Sequence, residues 1–419
     1  LLVSASNNRS DAIIIGDGVI GLACAIALQR SGIQTLIVAP DEPWRGASWG
    51  NAGHIAIEQV EPLAAPATLR GFPRRLFMLG GPVALPPRAM ASWLPFASRL
   101  ARFSTPAKFQ RGTAALGALL SEALPAWRRL LADADASALL REDGHFVVWE
   151  THRTAAAGIA RWQTIEIGST SFRLASHDEL AGLRSLIRAP ITNAIRFRGS
   201  AQITDNRKLG DVLLARFRAL GGRVLRARAL NVAGSSSAQV TLDNGAVLTS
   251  DLALVSAGAA SGPLLEKLGG KVPLIAERGY HLESGATDWP FGTPPVVFED
   301  RSLILTRFVG ALRAASFAEF APLTLPPDRR KWARLRMHIN ALGCRFDEPA
   351  SEWVGARPTL PDYLPAIGRL ANQPSIAYAF GHQHLGLTLA AVTGEAIAAM
   401  VRGEAPTVDL SPFDLARFA

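Results

Sequence analysis

A chain of 419 residues, 48% hydrophobic and 19% charged, has room for two domains with real cores and lacks the bias of a disordered or fibrous protein. Its formal net charge of +9 comes from 44 basic residues, only five of them lysine, and the arginines are scattered rather than gathered in a stripe. That pattern argues against a nucleic-acid groove and leaves only a weak general attraction to anionic substrates or membrane surfaces.

The N-terminal region carries the strongest local signal. The apolar run Ile13-Ile14-Ile15 leads into Gly16-Asp17-Gly18-Val19-Ile20-Gly21 and then into Leu22-Ala23-Cys24-Ala25-Ile26-Ala27-Leu28. This predicts a buried parallel strand, a Gly-x-Gly-x-x-Gly turn and a helix. Gly16 permits the turn, Gly18 lets a pyrophosphate approach the backbone, and Gly21 lets helix and strand pack closely. The helix N-terminus, at Val19 and Ile20, supplies N–H groups and positive dipole for the phosphates. Gly32 ends the helix before a second strand over 35–38. An acidic residue that holds the adenosine ribose belongs at the end of that strand, where Ala39 stands instead. Two readings follow: no carboxylate touches the ribose, or the Pro40 turn brings Asp41 or Glu42 back to the hydroxyls. Cys24 reads as a core residue and Cys344 as a loop residue. Two cysteines cannot build a disulfide framework, and the first ten residues lack a signal-peptide pattern. A cytoplasmic setting is expected.

Residues 57–110 are dense in Pro, Arg and aromatics, with an apolar helix over 89–103. The basic 70–102 region fits a helical cover on a sheet, which is preferred, and also a peripheral contact with the inner face of a membrane. A helix is expected over 113–133, and strands over 144–149 and 171–174. Further on come a helix over 209–220, stopped by Gly221-Gly222, and strands over 223–227 and 239–242. Asp243-Asn244-Gly245 then makes a hairpin turn. Residues 252–258 read as a buried strand ending on small residues. Segments 272–283, 296–298, 303–308 and 312–317 read as a mostly antiparallel group, followed by a helix over 328–342. The longest uncharged stretch, 370–394, is broken by glycines, Pro374 and polar residues, so it reads as strand, turn and helix rather than a membrane span. The fold class expected is α/β plus antiparallel β. A discontinuous Rossmann-like dinucleotide-binding domain (10–62, 198–262 and 345–419) accompanies a second, substrate domain (63–197 and 263–344), built on a mostly antiparallel sheet flanked by helices.

Four motifs then fall in a fixed order. The first is the glycine turn. The second is Gly46-Ala47-Ser48-Trp49-Gly50-Asn51-Ala52-Gly53-His54, and the third is Glu277-Arg278-Gly279-Tyr280. The fourth is Gly355-Ala356-Arg357-Pro358 with Pro361-Asp362 and Pro365-Ala366-Ile367-Gly368, leading to Gly381-His382-Gln383-His384-Leu385-Gly386. Together they resemble the D-amino-acid oxidase superfamily of FAD-dependent amine oxidoreductases, and within it the bacterial D-amino-acid dehydrogenases and their D-hydroxyproline dehydrogenase relatives. The resemblance spans nearly the whole chain. It implies FAD as cofactor, held noncovalently, because Gly50 follows Trp49 where some relatives carry a flavin-linked His.

The same resemblance places Ala47, Ser48, Asn51, Ala52 and Gly53 beside the flavin. Asp41, Val224, Ala257 and Gly258 are expected along the rest of the cofactor. The turn over Gly381, His382, Leu385 and Gly386, running into Leu387 and Thr388, would close over the flavin ring and offer N–H groups to its pyrimidine end. Arg357 is expected to fix a substrate carboxylate with a guanidinium fork. Tyr280 would add a hydroxyl or aromatic wall, Arg307 a second anion contact, and His54 and His384 substrate contacts; no metal ligand set is expected. The activity implied is oxidation of the Cα–N bond of a D-amino or cyclic imino acid, a cyclic one preferred, with electrons passing to a quinone or carrier. A 2-hydroxy-acid dehydrogenase, or a flavoprotein subunit of a multi-subunit amine or opine dehydrogenase, would carry the same motifs.

Overall fold

In the computed structural model, residues 10–40, 44, 46–285 and 287–419 are described. The run Ala12–Ile15 is buried at all four positions, as a strand covered on both faces must be. It lies inside a six-stranded sheet of order Arg223–Arg226, Thr35–Ala39, Ala12–Ile15, Leu252–Val255, Gln373–Phe380 and Ala366–Leu370. The first five run parallel and the last pairs antiparallel with its neighbour. Helices Val19–Arg30 and Gly386–Arg402 pack against each other over this sheet. A Cβ at Gly394 would come 2.6 Å from the Ala23 carbonyl oxygen, so the glycine sets how closely they approach. By length and composition, residues 383–402 could cross a membrane, but 72% of their most apolar stretch is buried within the molecule.

A nine-stranded, mostly antiparallel sheet forms the second layer system. It runs from Ser351–Thr359 through Ile275–Ser284, Ala311–Phe320 and Leu303–Phe308 to Val296–Phe298, then Phe146–Trp149, Asn193–Arg198 and Ser171–Leu174. Helix Arg329–Leu342, capped by Asp328 through the Arg330 N–H, buries Trp332, Leu335 and Ile339 against it. Strand Ser351–Thr359 lies in the C-terminal segment read from sequence as nucleotide-binding, yet it joins this sheet by pairing with Ile275–Ser284. A short sheet of His54–Ile55, Ala201–Ile203 and Leu140–Arg141 lies apart from both large sheets.

The α/β plus antiparallel β class agrees with the expectation, and several elements differ in detail. The helix expected over 113–133 is two helices, Pro106–Ser121 and Ala123–Asp133. Pro125 lacks an N–H and its ring meets the carbonyl four residues back, so the first helix cannot run through it. Helices His152–Trp162 and His177–Leu186 and strands Asn193–Arg198 and Ala229–Gly234 were not expected. The second helix carries a readable signal, a Ser176/Glu179 capping box with both reciprocal bonds made. In the 57–110 region, helix Met90–Phe103 packs on the large sheet, while helix Pro66–Arg75 buries none of its residues. Phe96 packs 5.6 Å from Phe320, and Val83–Ala84 pairs with Ala318 and Glu319. Cys344 follows the Gly343 helix cap, as a loop residue would, but is 7% exposed.

Candidate functional site

A cavity of about 1130 Å³ extends from the glycine turn to the inner face of the large sheet. At the glycine turn, three glycines do different work. Gly16 has φ +109°, and a Cβ there would come 2.6 Å from the Ser256 carbonyl oxygen. A Cβ on Gly21 would come 2.0 Å from the Gly16 oxygen, so Gly21 serves packing and does not line the cavity. Gly18 would meet only Ser48 Oγ, at 3.3 Å, so its face is open to a ligand. Helix Val19–Arg30 has no side-chain N-cap of its own and no acid in its first turn. Ser48 Oγ, from a distant loop, accepts the Val19 N–H at 2.9 Å. An uncharged helix start facing a cavity is a place for phosphate.

Beyond the turn, Ala39 and Pro40 line the wall, while Asp41 lies outside the described residues. Ala257 and Gly258 line it as expected, but Val224 does not. Val224 sits mid-strand, pairs with Ile37 and packs into the helix-side core. A ligand on such a sheet meets only the carboxyl ends of the strands, and there Arg228, Ala229 and Leu230 reach the cavity instead.

Ala47, Ser48, Asn51 and Ala52 line the middle of the cavity. Asn51 Oδ1 accepts the Gly53 N–H at 2.7 Å, and Gly53, at φ +73°, packs against the Phe308 ring rather than the cavity. In the C-terminal turn, His382, Gly386 and Leu387 face the cavity; Gly381, Leu385 and Thr388 do not. Those three hold the turn in place. Gly381 has φ +80° over Leu360, Leu385 is core, and Thr388 Oγ1 accepts the Ala56 N–H at 3.0 Å. Gln383, at φ +46°, donates to the Tyr363 carbonyl at 2.5 Å. A cavity of this size, with an open phosphate turn and a glycine-flanked turn opposite, fits FAD.

At the large sheet, Arg357 Nη1 donates to Glu277 Oε1 at 2.9 Å and to the Phe317 carbonyl at 3.1 Å. Among the described residues, its Nε and Nη2 have no protein acceptor. Phe317 holds φ +69° opposite a register shift between Arg278 and Tyr280. This is a bulge that turns a carbonyl toward the arginine. Glu277 also accepts from Thr359 Oγ1 at 3.3 Å and Tyr363 Oη at 3.2 Å. Tyr280 borders the cavity, but its hydroxyl is taken. It donates to Glu319 at 2.5 Å and accepts from Arg278 Nη2 at 3.2 Å and the Asp328 N–H at 3.1 Å. Burial and the Glu319 bond raise the phenol above its usual range. Burial alone would raise Glu319, but bonds from Tyr280, Lys331 and Arg278 outweigh it and hold that carboxyl below its ordinary value.

Arg307 does not reach the cavity. Its guanidinium bonds the carbonyls of Trp289, Phe308 and Ala311, where the strand turns back. His384 Nε2 lies 2.6 Å from Gln59 Oε1, and His382 Nε2 lies 3.1 Å from Thr393 Oγ1. Burial lowers both, His384 to about 4 and His382 to about 3, so both rings are neutral at pH 7. His54 lines the cavity from the short three-stranded sheet. Sequence reading passed over Glu277 and the Phe317 carbonyl. The alternation of a strand places 277 and 279 on one face, so a signal for Glu277 was present; nothing in sequence marks a carbonyl.

The sequence profile of the DAO family, described as FAD dependent oxidoreductase, matches residues 11–400. A D-amino-acid oxidase of Bradyrhizobium diazoefficiens is 29% identical over 97% of this chain and 98% of its own. A D-amino acid dehydrogenase of Cereibacter sphaeroides is 27% identical over 97% and 95%. Among solved structures, glycine oxidase from Geobacillus kaustophilus superposes with TM-score 0.73 at 17% identity, covering 98% of this chain and 99% of that one. L-proline dehydrogenase from P. horikoshii gives 0.72 at 14%, covering 98% of each. At such identities the structural likeness establishes the fold.

Proposed function

The chain belongs to the DAO family of FAD-dependent oxidoreductases, and on that premise we propose that it oxidises the Cα–N bond of a D-amino or cyclic imino acid. The observation that carries the reading is Arg357. Its Nη1 is anchored by a carboxylate and a carbonyl, and it stands at the cavity wall with Nε and Nη2 left for a ligand. Two parallel bonds from a guanidinium edge hold a carboxylate in one orientation and so fix where Cα–H points. The relatives named for D-amino-acid oxidation and dehydrogenation support this substrate class.

When bound, FAD supplies the two-electron sink, accepting the Cα hydrogen and its electron pair at N5. The protein's part is placement. The substrate amine binds without its extra proton, because an ammonium has no lone pair to assist loss of the Cα hydrogen. His382 and His384 are neutral at pH 7, so they contribute hydrogen bonds rather than competing positive charge. At the large-sheet end of the cavity Arg357 is then an anchored cation for the carboxylate. The Gly-His-Gln-His-Leu-Gly turn favours a ring substrate of the D-proline or D-hydroxyproline type, and a quinone or carrier is the expected electron acceptor.

Anaerobic bleaching of the flavin absorption band by a substrate panel tests this. The panel holds D-proline, D-hydroxyprolines, linear D-amino acids, glycine, the L-forms and 2-hydroxy acids. Rapid bleaching by one D-form, lost in Arg357→Ala with flavin still bound, is the expected result. Bleaching by 2-hydroxy acids alone, or by none of the panel, would overturn the reading.

A further inference from the structure

We infer that His54, Glu58 and His145 form a binding site for a divalent first-row transition ion of the zinc type, built into the cavity wall. His54 lies on the strand His54–Ile55, Glu58 stands four residues on, and His145 directly precedes Phe146–Trp149 of the large sheet. Their ligand atoms all lie within 4.8 Å of one another. Glu58 Oε1 is 3.8 Å from His54 Nε2 and 3.9 Å from His145 Nε2, too far for a hydrogen bond to either. The three side chains are only 7%, 1% and 2% exposed. His54 Nε2 and Glu58 Oε2 have no hydrogen-bond partner. Buried polar atoms are rarely left so, because each has given up its bonds to water for nothing.

A cation between them removes that anomaly. A tetrahedral zinc with arms of about 2.0–2.1 Å spaces its ligands about 3.3–3.4 Å apart. The two gaps to Glu58 need to close by about half an ångström each, and the His54–His145 gap, which is within 4.8 Å, by at most about 1.4 Å, so the side chains draw together around the ion. Two imidazoles and one carboxylate are a common zinc ligand set, leaving a fourth position for water. The outer support is present as well. His145 Nδ1 lies 2.8 Å from Ser200 Oγ; with Nδ1–H donating there, the Nε2 lone pair is left to face Glu58. Phe197 stacks on the His145 ring at 4.5 Å and an interplanar angle of 5°, which fixes its plane. His145 does not line the cavity, whereas His54 and Glu58 do. The ion therefore ties the cavity-lining segment to the large sheet, next to Gln59, the partner of His384. None of this depends on which substrate the flavin site takes.

The test uses tag-free, FAD-containing protein, stripped with a chelator, re-equilibrated with Zn²⁺ and freed of excess, with metal counted by mass spectrometry. Parallel arms with Co²⁺, Mn²⁺ and Fe²⁺ identify the preferred ion. The expected result is one zinc per chain in the wild type, with a higher melting temperature on zinc addition. Retention should be lost in both His145→Ala and the near-isosteric Glu58→Gln, while each keeps its flavin. A wild type that retains no ion at zinc saturation, or equal zinc in all three proteins, would overturn the site.

Discussion

A Cβ at Gly279 would fall 2.4 Å from Arg357 Nη2 and 2.8 Å from its Cζ, so the guanidinium lies directly over a residue with no side chain. Gly279 pairs with Gly355 across the strands, and Glu277 with Arg357, so the sheet register itself brings the anchor carboxylate beside the arginine. Gly279→Ala should push the guanidinium off this position while leaving the sheet intact. The expected outcome is a fall in kcat/KM of about 10²-fold, the cost of misplacing a reacting group by about an ångström, with flavin content and melting temperature near wild type. Steady-state kinetics beside a thermal melt checks both halves. The resemblance carried by the Gly-x-Arg-Pro stretch led to expecting Arg357 at the site, and it lines the cavity. Tyr280 was only half legible: its position was readable, but Glu319, which takes its hydroxyl, lies 39 residues away and meets it only through the folded sheet. Arg307 misled because nothing in sequence marks a carbonyl, and those of Trp289, Phe308 and Ala311 occupy it where the strand turns back.

Among elements, the turn before helix Gly386–Arg402 places two residues in the left-handed region of backbone space. Gly381 has φ +80° and Gln383, which is not glycine, has φ +46°. Both are held by surrounding structure: Gln383 by its bond to Tyr363, itself at φ +58°, and the helix start by Trp127 Nε1, which donates to the carbonyls of Leu387 and Thr388 at 2.9 and 3.2 Å. Gly381→Ala combines an unfavourable φ with a Cβ 2.7 Å from Leu360. The turn should shift, and the purified variant should carry a reduced ratio of flavin to protein absorbance that added FAD restores only in part. A full complement of flavin would show that the turn's shape does not govern cofactor retention. The strand–turn–helix order here was readable from glycine spacing. The break between Pro106–Ser121 and Ala123–Asp133 is also written locally, in Pro125. Helix His152–Trp162 was harder to see. Its N-cap Thr151 is paired with Thr154 rather than an acid, and Ala155 is its only fully buried residue.

On the scale of the whole molecule, the two large sheets meet at a cavity whose walls come from segments far apart in sequence, and burial there keeps several histidines uncharged. Strand Ser351–Thr359 carries Arg357 in the large sheet, and Thr359 then bridges to His382 at the end of the parallel system. That crossing was not legible, because no local pattern says which sheet a strand will join. Burial, aided by the Arg313 charge, lowers His281 to about 3, and burial lowers His382 to about 3. In the unfolded chain such rings protonate below about pH 6.5. The unfolded state therefore binds more protons between about pH 6.5 and 3, so stability is fully present above that window and is lost as the pH falls through it. Each such ring contributes a slope of up to about 1.4 kcal/mol per pH unit. His281 Nδ1 donates to the Gly50 carbonyl at 3.2 Å while its ring stacks on Trp353 at 4.9 Å, so it can be replaced without emptying the site. His281→Asn keeps a donor near the Nδ1 position but cannot titrate. Melting temperatures taken from pH 8 to pH 4 should be level above about 6.5 and fall below it for the wild type, and fall less steeply for the variant. Parallel curves for the two proteins would mean that His281 titrates in the fold as it does in the unfolded chain, and that its burial does not set the acid limit.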